Sequence, residues 1–258
     1  MSRIGERFRR LREQGRKGFV GFVTAGDPSL DRTVEVAGEM ESAGVDVLEL
    51  GVPFSDPLAD GPIIQRSSER ALASGVTLAR VLEAVGRIRK RSDLPLVLFS
   101  YFNPLLRYGL PALARAAAAA GVDGVLVTDL PPEEADGWLE AARGAGLDTV
   151  FLAAPTSPDE RLRRVAGASR GFVYAISRTG VTGERDALSD DARPLLARIK
   201  ALTSEPVALG FGISSPGQVA AAAAVADAVV VGSALVRFLE DSPQGDVAER
   251  VRWLKTGM

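Results

Sequence analysis

Short apolar runs alternate with helix-forming stretches from one end of the chain to the other. The apolar runs fall near residues 19–24 (FVGFVT), 45–51 (VDVLELG), 95–101 (PLVLFSY) and 122–129 (VDGVLVTD), and again near 147–154, 171–177, 206–211 and 227–232. Between them lie segments rich in Ala, Arg, Glu and Leu, such as 132–145 and 188–202, which are good helix formers. Buried strands that alternate with helices build a parallel sheet, and eight such units predict one closed (β/α)8 barrel, a TIM barrel, over the whole span 1–258. An open doubly wound sheet is the competing architecture, and it would carry a glycine fingerprint after its first strand. That position reads TAGDPS, a turn followed by a helix cap.

Ahead of the first strand, Ile4, Phe8 and Leu11 recur at helical spacing among arginines, with Glu6 and Glu13 between them. The segment 1–17 sums to about +5 by ordinary charge assignments, yet its apolar stripe predicts an extra N-terminal amphipathic helix packed on the domain, not an RNA-binding arm. The whole chain carries a net charge of −2, which offers no electrostatic footprint for nucleic acid. No apolar run approaches the roughly 20 residues of a membrane span, because Asp227 interrupts the longest Ala/Val stretch. The basic N-terminus lacks the apolar core of a secretory signal, so a cytoplasmic location with no membrane partner is expected. The alanine runs near 114–121 and 219–226 need no special role, since small helix formers let helices lie close against a barrel.

Two intervals between strand starts are long. The step from 45 to 95 contains PFSDPLADGP, and the step from 171 to 206 contains RTGVTGERDALSDD. Barrels place their active sites on the loops that follow the strands, so both insertions point to function on the same face.

There is no Cys and no His in the chain. Thiol nucleophiles, disulfides, the usual zinc sites and imidazole acid–base catalysis are thereby excluded, and no metal site is expected. Lys17, Lys90, Lys200 and Lys255 all fall at helix ends or just before strands, where none can form a Schiff base at a strand mouth. Carbon–carbon chemistry on a sugar phosphate would then need a substrate that supplies its own electron sink.

The remaining candidates are carboxylates. Strand alternation puts Val45, Val47 and Glu49 on one face of the second strand, which in a barrel is the interior face. Flanked by Leu48, Leu50 and Val52, Glu49 would lose solvation, and desolvation lifts a carboxyl toward the range of a general acid near neutrality. The alternative is a strand-end acid that points to water. Asp60, in a polar loop, is expected to stay ionised and to take the anion role, with Asp56 as its competitor. Either aspartate could instead be a turn residue bonded to nearby backbone.

A different constellation ends the chain. GFGISSP (210–216) and VVVGSALV (229–236) each set a glycine just before a helix start. Free backbone N–H groups there, with Gly212, Gly232 and Ser233, would bind an anion such as phosphate, and Gly183 of the long sixth loop could close over it. Simple strand-to-helix turns are the plainer reading.

These motifs together resemble the alpha subunit family of tryptophan synthase. The likeness runs through FVTAGDP (22–28), LELGVPFSDPLADGPIIQ (48–65), SRTGVTG (177–183), GFGISSP (210–216) and GSALV (232–236). The acidic motif is highly specific, while the glycine motifs are shared with other phosphate-binding barrels. The resemblance implies retro-aldol cleavage of indole-3-glycerol phosphate to indole and glyceraldehyde 3-phosphate. It implies Glu49 as the acid/base at the indole carbon, Asp60 as acceptor of the indole N–H, and Gly183, Phe211, Gly212, Gly232 and Ser233 as the phosphate cradle. Phe22, Leu126 and Tyr174 match pocket positions, with Tyr174 also orienting Glu49 and Thr182 closing a lid against Asp60. A beta subunit is the implied partner in an α2β2 complex, facing Asp56 and the loop 53–62, and pyridoxal phosphate is expected only in that partner. Another phosphosugar barrel, or a barrel that only activates a partner, would share the fold and not the indole release.

Overall fold

A computed structural model describes residues 2–176, 191–210 and 212–258. Among the described residues, nine parallel strands form one nearly closed sheet: β1 (Gly18–Thr24), β2 (Val47–Gly51), β3 (Leu96–Ser100), β4 (Gly124–Val127), β5 (Asp148–Val150), β6 (Leu152–Ala153), β7 (Val173–Ile176), β8 (Val207–Gly210) and β9 (Ala228–Val231), in the order β5-β4-β3-β2-β1-β9-β8-β7-β6. β5 and β6 are two halves of one barrel strand, interrupted at Phe151. Its carbonyl still accepts the Tyr174 N–H at 3.1 Å, so the ladder continues around the circle. The eight expected strands are therefore present, one of them split, in a TIM barrel.

The helices described are α1 (Arg3–Glu13), α2 (Leu30–Ser42), α3 (Pro62–Ala73), α4 (Leu78–Arg89), α5 (Phe102–Tyr108), α6 (Leu110–Ala120), α7 (Asp136–Ala145), α8 (Asp159–Ala168), α9 (Ala192–Lys200), α10 (Pro216–Ala223), α11 (Ser233–Asp241) and α12 (Val247–Lys255). An outer core joins the helices to the outward faces of the strands, with Leu48, Leu50, Leu96 and Leu98 at its centre. The interior holds Val20, Val47, Val97, Leu126, Val150, Phe172, Tyr174, Ala208, Ala228 and Val230. This alternation along each strand is what sends Glu49 inward two residues after Val47. Val45 does not share that face. Its N–H bonds to the Met40 carbonyl in the turn that ends α2, ahead of the strand, and it packs in the outer core. Strand alternation therefore begins only at Val47.

The expected N-terminal helix is the floor of the barrel. Ser2 caps α1 by accepting the Gly5 N–H at 3.1 Å, and Ile4, Phe8 and Leu11 enter the interior core, with the Phe8 ring 5.9 Å from that of Phe172. Aspartates at the strand starts bridge backbone donors and basic side chains. Asp46 accepts the Phe19 N–H at 2.9 Å and pairs with Arg7 at 3.3 Å. Asp123 accepts the Leu96 N–H at 2.8 Å and pairs with Arg3 at 2.9 Å. Ser2 donates to Asp148. Arg3 and Arg7 of the positive N-terminal segment are thus held by the protein's own carboxylates, which also answer backbone donors otherwise left unpaired at the barrel's lower rim.

Candidate active site

Glu49 sits near the C-terminal end of β2, in register with Phe22 of β1 and Val97 of β3. Its side chain is fully buried, and Oε1 has no hydrogen-bond partner among the described residues. Burial alone lifts its pKa from 4.5 to about 8, because the charged form has lost water and gained no compensating donor. The group therefore holds a proton at neutral pH.

Asp60 reaches the same cavity from the loop that follows β2. This cavity, of about 110 Å³, is lined by Phe22, Glu49, Asp60, Phe99, Thr128, Tyr174, Gly212, Gly232 and Ser233, among others. The loop is less polar in its folded setting than its composition implies, and Asp60 is 8% exposed. Burial raises its pKa from 3.8 to about 6, against the lowering effect of a hydrogen bond with Tyr101. Asp60 remains largely ionised at neutral pH, so two carboxyl groups in one pocket occupy opposite protonation states.

The loop is tied down at several points. Asp60 donates its own N–H to Pro57 at 3.0 Å, and Gln65 of α3 donates to the Asp60 carbonyl at 2.9 Å. The Tyr101 hydroxyl accepts the Ala59 N–H at 3.0 Å, while its ring lies 5.1 Å from that of Phe54. Asp56 is exposed on the outer part of the loop and does not line the cavity. The linear chain leaves the two aspartates as competitors. The fold separates them.

Aromatic side chains and glycines shape the rest. The Phe22 and Phe99 rings meet edge to face at 5.1 Å, and the Phe22 ring occupies the space in front of Gly51, where a Cβ would lie 2.6 Å from it. Tyr174 is buried opposite, and its phenol is held neutral by desolvation and by the nearby Glu49 and Asp60. Leu126, expected at the pocket, is wholly buried in the interior core and does not line the cavity. Ile64, Thr128, Leu152 and Val230 do line it. Tyr101 and Thr128 directly follow β3 and β4 at the barrel mouth, a signal that could have found them.

On the far side, α11 begins at Ser233 after Gly232, and no side chain of the described residues caps it. Its first N–H groups are unused within the helix, and an uncapped N-terminus is suited to an anion. Gly212, with φ +79, brings the loop after β8 to the same place. By contrast Gln218 accepts the N–H groups of Ser214 and Ser215 in a capping box of α10, so those donors are used internally. A wider cavity of about 610 Å³ opens outward from Gly61, Gly212 and Ser233 toward Arg66, Arg237 and Arg250. Thr182, Gly183 and Phe211 lie outside the described residues. Among the described residues, no group of His, Cys, Asp and Glu could hold a metal ion.

The arrangement is a pocket with one protonated acid, one ionised acid and, at another wall, an uncapped helix start. Known proteins resemble this chain along nearly its whole length. The family described as Tryptophan synthase alpha chain matches residues 8–256. The tryptophan synthase alpha chain of Solibacter usitatus is 52% identical over 249 residues, covering 96% of this chain and 93% of the relative. That of Citrifermentans bemidjiense is 51% identical over 97% of this chain and 94% of the relative. Among solved structures, Mycobacterium tuberculosis tryptophan synthase superposes with a TM-score of 0.92 at 42% identity, covering 99% of this chain and 98% of that one. The alpha subunit from Legionella pneumophila gives 0.90 at 34% identity, over 100% of this chain and 97% of that one.

Proposed function

The chain belongs to the tryptophan synthase alpha chain family, whose lyase reaction cleaves indole-3-glycerol phosphate to indole and glyceraldehyde 3-phosphate, and from that premise we propose that Glu49 and Asp60 divide the chemistry between them. The observation that carries this reading is the pair of opposed protonation states in one pocket, with a pKa of about 8 for Glu49 and about 6 for Asp60.

Glu49 donates its proton to the indole carbon that bears the glycerol phosphate chain. The ring becomes an indoleninium and so provides the electron sink that an imine would otherwise supply. Ionised Asp60 accepts the hydrogen bond of the ring N–H and stabilises the positive charge as it develops. The hydroxyl next to the breaking bond loses its proton, to Glu49 as now a carboxylate, while its C–O bond becomes the aldehyde carbonyl. The electrons of the broken carbon–carbon bond return to the ring and release indole. Each proton given is recovered, and Glu49 ends the cycle protonated.

Gly212, Gly232 and Ser233, with Gly183 and Phe211, hold the phosphate. Neutral Tyr174 packs beside Glu49 and limits the pocket. Phe22 contacts the indole ring, and Thr182 closes toward Asp60. Support for a partner comes from the rim: Asp56 is exposed, Leu58 is 82% exposed, and Leu106 of α5 is 58% exposed. Apolar side chains so open to solvent fit a docking surface, here for the beta subunit of an α2β2 complex in the cytoplasm. Pyridoxal phosphate belongs to that subunit and not to this chain.

The test is an assay of indole release from indole-3-glycerol phosphate by the purified chain, with and without a beta subunit. Glu49→Gln is expected to abolish release and retain complex formation. Persistent turnover would sink the assignment of Glu49.

A further inference from the structure

Helix α3 is attached to the barrel differently from its neighbours. α4 buries Val81, Leu82, Val85 and Ile88, and α11 buries Leu235, Val236 and Leu239. α3 buries only Ser67, Ser68 and Ala71. A broad apolar stripe locates a helix by packing, but small and hydroxyl-bearing side chains give little to grip, so polar bonds must set where α3 lies.

Two groups of bonds do so. The Thr24 and Ser67 hydroxyls meet at 2.6 Å. Farther out, Arg70 grips buried Asp27 with Nε and Nη2 at 2.9 and 2.7 Å, and reaches Glu240 of α11 with Nη1 at 2.8 Å. Arg66, one turn earlier on the same face of α3, holds Glu240 with two more bonds at 3.0 and 2.8 Å. Paired bonds of this kind between planar groups fix orientation as well as distance.

The two helices joined this way begin at the two ends of the substrate cleft. Asp60 immediately precedes Gly61, the N-cap of α3, and Ser233 is the first residue of α11. Any slip of α3 along α11 would carry Asp60 away from the phosphate cradle. Arg70 and Glu240 line neither cavity.

We propose that Arg70 and Glu240 are positioning residues that set the span between the ring end and the phosphate end of the cleft, so that a ligand filling both ends depends on them and a ligand filling one end does not. This rests on the assignment of Asp60 to the indole ring and Ser233 to the phosphate. Holding two binding groups at the right separation is what makes a joined ligand bind better than its parts.

The experiment compares glyceraldehyde 3-phosphate with an alkyl phosphate that carries an indole ring, by calorimetry on the full-length chain. Glu240→Gln and Arg70→Gln are each expected to weaken the two-ended ligand about ten-fold while leaving glyceraldehyde 3-phosphate within about two-fold. Arg70→Lys, which keeps the charge and loses the paired bonds, is expected to give a loss of about three-fold and serves if Glu240→Gln does not fold. Equal losses for both ligands would show that the cradle itself is disturbed, and no loss would show that other contacts locate α3. Either result overturns the proposal. If the native chain gains nothing from the indole ring, the ligand assignment of the site fails instead, and this inference falls with it.

Discussion

The phenol of Tyr174 fills the space that a side chain at Gly210 would need: a Cβ there would lie 2.3 Å from Oη and 2.8 Å from Cζ. Gly210 ends β8 ahead of the loop that carries Gly212, and Tyr174 stands in β7 opposite Ala208, so neither backbone can yield without breaking the ladder. Gly210→Ala is expected to push the phenol into the pocket and lower kcat/KM by about ten-fold to a hundred-fold, in line with the roughly 1–3 kcal/mol of overpacking. A smaller residue at the partner site, in the double variant Gly210→Ala with Tyr174→Val, is expected to recover part of the loss. Steady-state kinetics of the two single variants and the double variant test this, and strictly additive losses would contradict it.

The pH profile should be bell-shaped. With Glu49 as the proposed proton donor, kcat/KM should fall as pH rises through about 8. With Asp60 as the proposed anion, kcat/KM should also fall as pH drops through about 6. Tyr101→Phe removes a hydrogen bond that lowers the Asp60 pKa, so the acid limb should move to higher pH while the alkaline limb stays in place. An unmoved acid limb would separate Tyr101 from the charge state of Asp60.

Glu49 also makes stability depend on pH. Its folded pKa of about 8 lies above its ordinary 4.5, so between these values the folded chain holds a proton that the unfolded chain has released. The contribution of the neutral acid is complete below about 4.5 and is lost as pH rises toward 8. Glu49→Gln, which stays neutral, should therefore match the native chain near pH 4 and exceed it by an amount that grows to a few kcal/mol near pH 8, because lifting a pKa by one pH unit corresponds to about 1.4 kcal/mol. Urea denaturation across that pH range measures the difference.

The floor of the barrel should matter for stability and not for chemistry. Phe8→Ala removes a buried ring from the interior core, where it meets Phe172, and is expected to cost about 3–5 kcal/mol. The activity of the folded fraction should be retained, since α1 lies at the end opposite the pocket. Denaturation midpoints and active-site titration together test both halves of this expectation.

The alternation of apolar runs and helix formers determined the architecture, because the strands of a closed barrel are apolar on both faces and most of its helices, α3 excepted, present one apolar stripe. The same patterning placed α1, through Ile4, Phe8 and Leu11. Local pattern also put Glu49 inside, since two residues separate it from Val47. It misjudged Val45, because alternation holds only where the chain is already a strand.

What the linear chain left open was decided by contacts between distant segments. Asp56 and Asp60 are equivalent in a turn-rich loop, and only Tyr101 just after β3, Gln65 from α3 and the shared cavity with Glu49 bury one while the other stays in water. The same burial turned a loop expected to be polar into a site where the aspartate is partly desolvated. The ladder from Asp27 through Arg70 and Glu240 to Arg66 spans more than two hundred residues of sequence. Composition and hydrophobic periodicity are local quantities, whereas desolvation and charge pairing depend on what arrives from elsewhere in the chain, and that is why the pattern of the sequence yielded the barrel and its buried acid, while the tertiary structure decided which aspartate joins it and how far that aspartate is desolvated.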